Sequence, residues 1–255
     1  MYQPRSSPMT ASATENLLHT IPPLELHQDT WLTLEQTMQE RRFDMPFRKT
    51  YQYEGEYIDA FHRWLAFGPK HSHGMIDIGI EGWLLPQDAL KLYEMAYFSD
   101  DILELGTYKG LSTSILANAV FNSNRPRSIV TVDLSAELSA KAEEDMQSRL
   151  ILGRENVHFF VYDAMKFTEN LGKAGRQFSF GFIDHSHVYE HVRECCMHLH
   201  TAIKPGGFVL FHDYNDPRNP DPASPDYGVF QGVNEGIRNF QFYGVYGCTS
   251  LWRRV

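Results

Sequence analysis

From residue 101 onward, short apolar runs alternate with longer segments in which apolar residues recur at helical spacing. The apolar runs are DILELG, SIVTVD, VHFFVYDA, FSFGFID and GGFVLFHD. The helical segments between them include STSILANAVF, SAELSAKAEEDMQSRL and VYEHVRECCMHLHTAI. Nearly continuous apolar strands that alternate with helices predict a parallel sheet covered by helices on both faces.

The C-terminal part has a different pattern. A helix is predicted over 229–239, and two apolar runs, QFYGVYGC and TSLWRRV, follow it. These runs lie too close together for a helical crossover, so we expect an antiparallel hairpin at the end of the sheet. The predicted fold class is therefore α/β, with a doubly wound and mostly parallel sheet.

The N-terminal part divides into two segments. Residues 1–20 are rich in Ser, Thr, Ala and Pro and are expected to form a flexible leader. Residues 21–95 are expected to form a helical cap, with helices in LTLEQTMQERRF, EYIDAFHRWLAFG and LPQDALKLYEMAYF. The aromatic stripe of the second segment fits a helix packed on its own core, or a lid over a ligand pocket. The core domain is predicted over 96–255.

Composition narrows the function classes. The net charge of −9 argues against a nucleic-acid partner, because no excess of positive charge is available to displace phosphate counterions. No run of about twenty apolar residues could span a bilayer, and no apolar secretory signal precedes the first helix. The 3 cysteines do not suggest a disulfide framework. We expect a cytoplasmic protein with reduced thiols.

The residues that close each strand carry the candidate chemistry, since ligands of open α/β sheets bind beyond the carboxyl ends of the strands. In ILELGTYKGLSTS, two glycines permit a tight turn, and the helix start near Ser112 offers free amides to an anion. This is not the GxGxxG pattern of dinucleotide sites. Asp133 can accept two ribose hydroxyls, and Asp163 can reach an exocyclic amine. Ribose, adenine and a carboxylate together describe S-adenosylmethionine.

Residues 76–255 resemble the class I S-adenosylmethionine-dependent methyltransferases, and more narrowly the catechol O-methyltransferase-like and macrocin-type O-methyltransferases. ELGTYKGLS matches the ELGxYxGxS motif of that group, and KPGGFVLFHDY matches its fifth-strand signature. The resemblance implies a Rossmann-like sheet of seven strands with one antiparallel strand. It also implies cofactor contacts from Glu104, Gly106, Tyr108, Gly110, Ser112, Asp133, Asp163, Ala164 and His185.

The stretch FIDHSHVYEHV takes its roles from the same resemblance. In metal-dependent relatives, acids matching Asp184 and Asp213 bind Mg²⁺, which lowers the pKa of two substrate hydroxyls. His187 matches the general base, a task that suits imidazole because its ordinary pKa lies near neutral pH. Asp184 and His187 are thus the candidate catalytic residues.

The third metal ligand departs from the pattern of the relatives. Tyr214 stands where the catechol type has Asn, and His212 stands where the macrocin type has Glu. His212 could ligate, although an imidazole spoils a site built only from oxygen for Mg²⁺. Asn215 or Asp216 is an alternative ligand. Without a metal, His187 and His212 could act as a pair of bases on one hydroxyl.

A structural zinc site is the competing interpretation of the same segment. His187, His191 and Cys195 lie at intervals of four residues, which permits ligation from a helix. Cys195 also lies on the apolar stripe of that helix, and a buried cysteine is most simply a small core residue. His191 is expected on the solvated flank, and no CxxC pair exists to complete a tetrahedral site. Zinc is therefore disfavoured.

The predicted function is transfer of a methyl group to a hydroxyl of a small molecule, in secondary metabolism. Two alternatives stay open. One is a protein of this fold that binds the cofactor but catalyses a different reaction, and the other is a non-catalytic scaffold. The Pro-rich loop over 215–228 could select the substrate or simply connect surface elements. A homodimer formed through the N-terminal helices is a further hypothesis.

Overall fold

The computed structural model describes residue 53 and residues 55–255. The leader predicted over 1–20 and the helix predicted in LTLEQTMQERRF lie outside the described residues. The described residues form seven α-helices: α1 (Ala60–Phe67), α2 (Pro86–Phe98), α3 (Leu111–Asn122), α4 (Ala136–Ser148), α5 (Ala164–Ala174), α6 (Tyr189–Ala202) and α7 (Val229–Gly236). The strands are β1 (Asp101–Leu105), β2 (Ser128–Asp133), β3 (Val157–Val161), β4 (Phe178–Ile183), β5 (Ile203–Phe211), β6 (Phe240–Tyr246) and β7 (Thr249–Arg254).

The strands form one sheet in the order β3-β2-β1-β4-β5-β7-β6. All neighbours are parallel except at β7, which is antiparallel to both β5 and β6. The predicted seven-stranded sheet with one antiparallel strand is therefore confirmed. The strand order reverses between β1 and β4, and such a switch point opens a crevice at the carboxyl ends where ligands bind.

Helix α5 is not among the helices expected from the sequence. Its buried residues, Ala164, Thr168 and Leu171, recur at helical spacing, but one of the three is polar and weakens the apolar pattern. The residues that cap the two ends of the helix are a clearer signal than its apolar spacing. The Asp163 side chain caps the first turn, and Gly175 ends the helix with a φ of 66°. These two residues could have revealed the helix.

Helices α1 and α2 pack into the hydrophobic core on one side of the sheet. Leu65 of α1 and Leu92 of α2 share one hydrophobic cluster with Ile102 of β1 and Phe180 of β4. The aromatic stripe of α1 packs against that cluster, which supports the core interpretation of the stripe. The domain boundary after residue 95 stays a prediction. None of the helices in residues 55–255 combines the length and apolar character needed to cross a membrane.

Candidate active site

The polar residues of the candidate site follow β4 and β5 at the carboxyl edge of the sheet. The backbone N–H of Asp184 donates to the carbonyl of Leu105 over 2.7 Å, and the N–H of His212 donates to the carbonyl of Ile183 over 3.1 Å. The ladder thus continues one residue past each strand. Because β4 and β5 are parallel neighbours, Asp184 and His212 are brought side by side.

Asp184, His212 and Asp213 form one compact cluster, with ligand atoms that all lie within 4.8 Å of one another. The imidazole Nδ1 of His212 lies 3.4 Å from Asp184 Oδ1 and 3.5 Å from Asp213 Oδ1. Neither contact has hydrogen-bond geometry, and this Nδ1 has no hydrogen-bond partner among the described residues. Burial lowers the pKa of His212, but the two carboxylates together hold it well above its usual value.

The second oxygen of Asp213 serves His187. Its Oδ2 lies 2.9 Å from His187 Nε2, and this contact raises the pKa of His187. Burial alone would raise the pKa of Asp213, but the neighbouring His212 and His187 hold it far below its usual range. Asp213 also has a φ of 57°, a left-handed conformation that Asp tolerates better than most residues. The Asp213 carboxylate therefore faces both histidines.

Helix α2 supplies an acid behind the cluster. Asp88 is 1% exposed, and its Oδ2 lies 3.9 Å from His212 Nε2. The same carboxylate accepts hydrogen bonds from the Leu85 and Cys248 amides and from the Thr249 hydroxyl. The two imidazole nitrogens of His212 thus face acids on opposite sides. Sequence reasoning missed Asp88, because nothing local connects position 88 with position 212.

The loop over 215–228 packs onto His187. The Tyr227 ring stacks on the His187 ring with centroids 4.7 Å apart, and the Arg218 guanidinium lies 4.2 Å above the Tyr227 ring. Arg218 is held in turn by an ion pair of 2.8 Å with Asp216. The Gly228 amide donates to the His187 carbonyl over 2.8 Å. The loop therefore fixes both the ring and the backbone of His187.

The glycine-rich turn after β1 is built around close backbone contacts. Gly106 has a φ of 101°, and an added Cβ would overlap the backbone carbonyl of Asp184. Gly110 has a φ of 88° and directly precedes α3. Ser112 lies buried in the first turn of that helix. Free amides at a helix start favour an anionic ligand, so this turn suits a carboxylate.

Asp133 orders the same turn from the end of β2. Its Oδ2 accepts the Tyr108 amide and its Oδ1 accepts the Ser135 amide, both over 2.8 Å. A carboxylate oxygen has two acceptor positions, so each oxygen retains one for a ribose hydroxyl. The Tyr108 ring lies against Trp83 with centroids 5.6 Å apart, and its hydroxyl contacts Glu81.

Glu104 lies beneath the glycine turn and is fully buried. Its Oε2 accepts the hydroxyls of Thr113 and Thr131, each over 2.6 Å. Its Oε1 has no hydrogen-bond partner within the described part of the chain. Burial raises the pKa of Glu104 to about 7.

The remaining predicted cofactor residues follow β3 and β4. Asp163 accepts the Lys166 amide over 2.9 Å as the cap of α5, and Ala164 is the first residue of that helix. The Nε2 of His185 is buried and has no hydrogen-bond partner among residues 55–255. Burial lowers the pKa of His185 to about 4, so its imidazole is neutral at physiological pH.

One apolar side chain at this edge was missed by sequence reasoning. Leu134 directly follows Asp133 and is 75% exposed, although leucine is normally buried. An exposed leucine next to Asp133 is accessible to a ligand that binds at this edge of the sheet. In the sequence, Leu134 is marked only by its position directly after Asp133, which ends β2.

The zinc interpretation of the fourth-strand segment finds no geometric support. Cys195 is fully buried with Val192 and Leu199 in the hydrophobic cluster, as predicted for a core cysteine. His191 is exposed and contacts the Ser186 hydroxyl over 3.1 Å. The groups of possible metal ligands in the described residues include neither His191 nor Cys195.

The fold and the site define a class of protein. A doubly wound sheet with the order β3-β2-β1-β4-β5-β7-β6, and with polar residues gathered at its switch point, is the Rossmann-like methyltransferase fold. Residues 103–214 match a family model described as a methyltransferase domain. No curated protein shows significant sequence similarity to the chain.

Several solved structures share this fold. The O-methyltransferase TomG of Streptomyces achromogenes, involved in tomaymycin synthesis and solved with SAM, is 21% identical, with a TM-score of 0.51 over 68% of this chain and 82% of that one. A putative O-methyltransferase from Klebsiella pneumoniae is 17% identical, with a TM-score of 0.50 over 96% of this chain and 97% of that one. The O-methyltransferase from Bacillus cereus, solved with SAH, is 14% identical, with a TM-score of 0.51 over 95% and 97%.

Residues 103–214 therefore resemble a methyltransferase domain, and the predicted Rossmann-like methyltransferase fold is confirmed. At these identities the solved structures establish the fold alone. The roles of the individual site residues stay predictions.

Proposed function

We propose that the protein is an O-methyltransferase that methylates a hydroxyl of a small molecule, with His187 as the general base. The observation that carries this proposal is the His187–Asp213 pair, in which Nε2 and Oδ2 lie 2.9 Å apart at the carboxyl edge of the sheet. His187 follows β4, which borders the switch point, and Asp213 follows β5, the next strand in the sheet. A general base at the carboxyl edge of the sheet is needed when the methyl acceptor loses a proton, as a hydroxyl does.

The chemistry of His187 follows from its contacts. When Nε2–H donates to Asp213, the neutral ring presents Nδ1 as its free acceptor. The carboxylate fixes this tautomer and stabilises the imidazolium formed when Nδ1 takes the hydroxyl proton. The stacked Tyr227 ring holds the imidazole plane. His187 thus acts on the acceptor oxygen, while Asp213 orients it.

S-adenosylmethionine fits the glycine turn and the strand ends around it. When bound, it would supply a methyl group, carried on its sulfonium, to the acceptor oxygen. The start of α3 near Ser112 would face the carboxylate of the cofactor, and Asp133 would accept the ribose hydroxyls. The buried and unpartnered Nε2 of His185 supports an imidazole that faces a ligand. The SAM named for TomG supports the same assignment.

A divalent metal fits the cluster of Asp184, His212 and Asp213. The fit rests on the buried Nδ1 of His212, which lies between two carboxylate oxygens without a hydrogen bond in the described residues. A bound ion would lower the pKa of an acceptor hydroxyl and orient it. His187 would then receive the proton from that hydroxyl.

Two measurements test the proposal in order. Calorimetry with S-adenosylmethionine is expected to show binding, and mutation of Asp133 to Ala is expected to weaken it because the ribose acceptor is lost. Incubation with a panel of phenols, catechols and aliphatic alcohols is then expected to yield methyl ethers by mass spectrometry. Methylation only of amine or thiol analogues, or turnover without a methylated product, would overturn the assignment to oxygen. Absence of cofactor binding would favour the scaffold alternative.

A further inference from the structure

The donor atoms of the Asp184–His212–Asp213 cluster differ from those that Mg²⁺ prefers. Magnesium is bound by oxygen, usually from one or two carboxylates with several waters. Here a nitrogen, His212 Nδ1, lies between the two carboxylates at 3.4 and 3.5 Å. Imidazole suits zinc, copper, iron and nickel better than magnesium.

The spacing of these atoms fits one ion. Two atoms bound to a metal at about 2.1 Å lie roughly 3.0 Å apart at a right angle and roughly 3.4 Å apart at the tetrahedral angle. The two contacts of His212 Nδ1 therefore need little adjustment to share an ion. His212 is 6% exposed, so the nitrogen cannot turn to solvent for a hydrogen bond. This nitrogen therefore faces the two carboxylates of the cluster.

Two further side chains border the cluster. The thiol of Cys248 donates a hydrogen bond to Asp213 Oδ1 over 3.7 Å and holds that oxygen in place. Asp88 lies on the far side of His212, facing Nε2. An acid behind a ligating imidazole orients the ring and makes it a stronger ligand. The acid behind His212 favours an ion that accepts nitrogen.

We infer that this site selects a first-row transition ion of the Mn²⁺ to Zn²⁺ series over Mg²⁺, with Asp184, His212 Nδ1 and Asp213 as ligands. The inference rests on the proposed function for the role of the site, but the binding of the ion is independent of methyl transfer. Selectivity is set by His212, since it contributes the one nitrogen of the three ligands.

The test is a metal titration of the full chain after removal of metals with a chelator, without cofactor or acceptor. Calorimetry is expected to show Co²⁺ and Zn²⁺ binding at least about 100-fold more tightly than Mg²⁺. Bound Co²⁺ is expected to show visible absorption bands distinct from those of its aquo ion, a readout that does not depend on activity. Equal affinity for Mg²⁺ and Co²⁺, or an unchanged Co²⁺ spectrum, would overturn the inference.

Substitutions of His212 test whether its Nδ1 sets the metal selectivity. H212E replaces the nitrogen donor with oxygen and is expected to weaken Co²⁺ by at least about tenfold while strengthening Mg²⁺. H212Q, which is uncharged, covers the case in which a third carboxylate unfolds the protein, and should weaken Co²⁺ as well. The exposed His73 gives the control, because H73E changes a histidine outside the cluster. Equal losses in H73E and H212E would assign the binding to surface histidines.

The outcomes separate this inference from the proposed function. Selective Co²⁺ binding through His212 without any methylated product would leave the metal site standing and remove the O-methyltransferase assignment. Methyl ether formation with tight Mg²⁺ binding would support the O-methyltransferase assignment and overturn the inferred metal selectivity.

Discussion

At the scale of single residues, Asp213 divides its two oxygens between two histidines. Oδ2 faces His187 at 2.9 Å, and Oδ1 faces His212 at 3.5 Å. A carboxylate offers about four acceptor positions, so it can orient a base and hold a cation at once. The proton acceptor and the cation site are thus joined through one side chain.

Removal of the base gives the first prediction. H187Q keeps a planar polar side chain but has no proton acceptor near neutral pH. We expect kcat to fall by about 100- to 10,000-fold, the usual contribution of a positioned base. The dissociation constant of S-adenosylmethionine should stay unchanged, since His187 faces the acceptor. Steady-state kinetics and calorimetry measure the two quantities, and an equal loss in both would place His187 in the cofactor site instead.

Glu104 gives a prediction on stability and pH. Burial raises its pKa in the folded protein from 4.5 to about 7. Between these values the folded protein keeps the proton and the unfolded chain releases it, so stability falls as pH rises through this window. The loss amounts to about 3 kcal/mol, from about 1.4 kcal/mol per pKa unit.

Urea unfolding at about pH 4.5 and about pH 8 tests this sign, because the two conditions bracket the window. In E104Q the side chain does not titrate. The unfolding free energy of wild type relative to E104Q is therefore expected to be lower at the higher pH. A difference that is constant with pH would show that Glu104 is ionised in the folded protein throughout.

At the scale of elements, the turn from β1 to α3 and the end of β4 fit only because position 106 has no side chain. An added Cβ at Gly106 would overlap the Asp184 carbonyl, and its φ of 101° is already unfavourable for other residues. The glycine turn and the acid after β4 are thus positioned against each other by one backbone contact.

This contact predicts the effect of G106A. Gly175 offers a matched control, since its φ of 66° is also positive but no atom lies within 4 Å of an added Cβ. G175A should lose about 1 kcal/mol from backbone strain alone. G106A should lose more, by at least about 1–3 kcal/mol, and should also weaken cofactor binding. Denaturant unfolding and calorimetry of both variants measure this, and equal losses would mean that the turn moves freely.

At the scale of the whole molecule, Asp88 joins distant parts of the chain at the site. It lies on α2 but bonds to Cys248 and Thr249 in the β6–β7 hairpin, and it faces His212 after β5. The helix before the sheet and the antiparallel strand at its end therefore meet behind one imidazole. The interaction is long-range, so it depends on the complete fold.

The D88N variant tests this role as a positioning residue. Asn keeps one oxygen, which can still accept the Cys248 amide and the Thr249 hydroxyl, and it replaces the carboxylate oxygen that faces His212 with an uncharged amide group. We expect metal affinity to fall by about 10- to 100-fold, the usual effect of losing an acid behind a ligating imidazole. A purely structural role would lower the free energy of unfolding and leave the Co²⁺ dissociation constant of the folded protein unchanged. Calorimetry and denaturant unfolding distinguish the two results.

Much of this protein was determined by local sequence pattern. The five apolar runs and the terminal hairpin predicted the sheet, because strand burial and loop length leave few arrangements open. The acids and histidines that close the strands could be named as site candidates, since parallel strands deliver their carboxyl ends to one edge. Helix α5 was missed because its apolar stripe includes Thr168 and its end signals lie outside that stripe.

Only the tertiary structure showed which atoms of these residues meet and which further residues join them. It placed the unpartnered His212 nitrogen between Asp184 and Asp213, directed the second oxygen of Asp213 to His187, and brought Asp88 and Cys248 beside them. None of these pairings follows from spacing along the chain. Sequence pattern records which faces are buried, whereas contacts between residues 88, 184, 213 and 248 depend on the register and packing of elements that are remote in sequence.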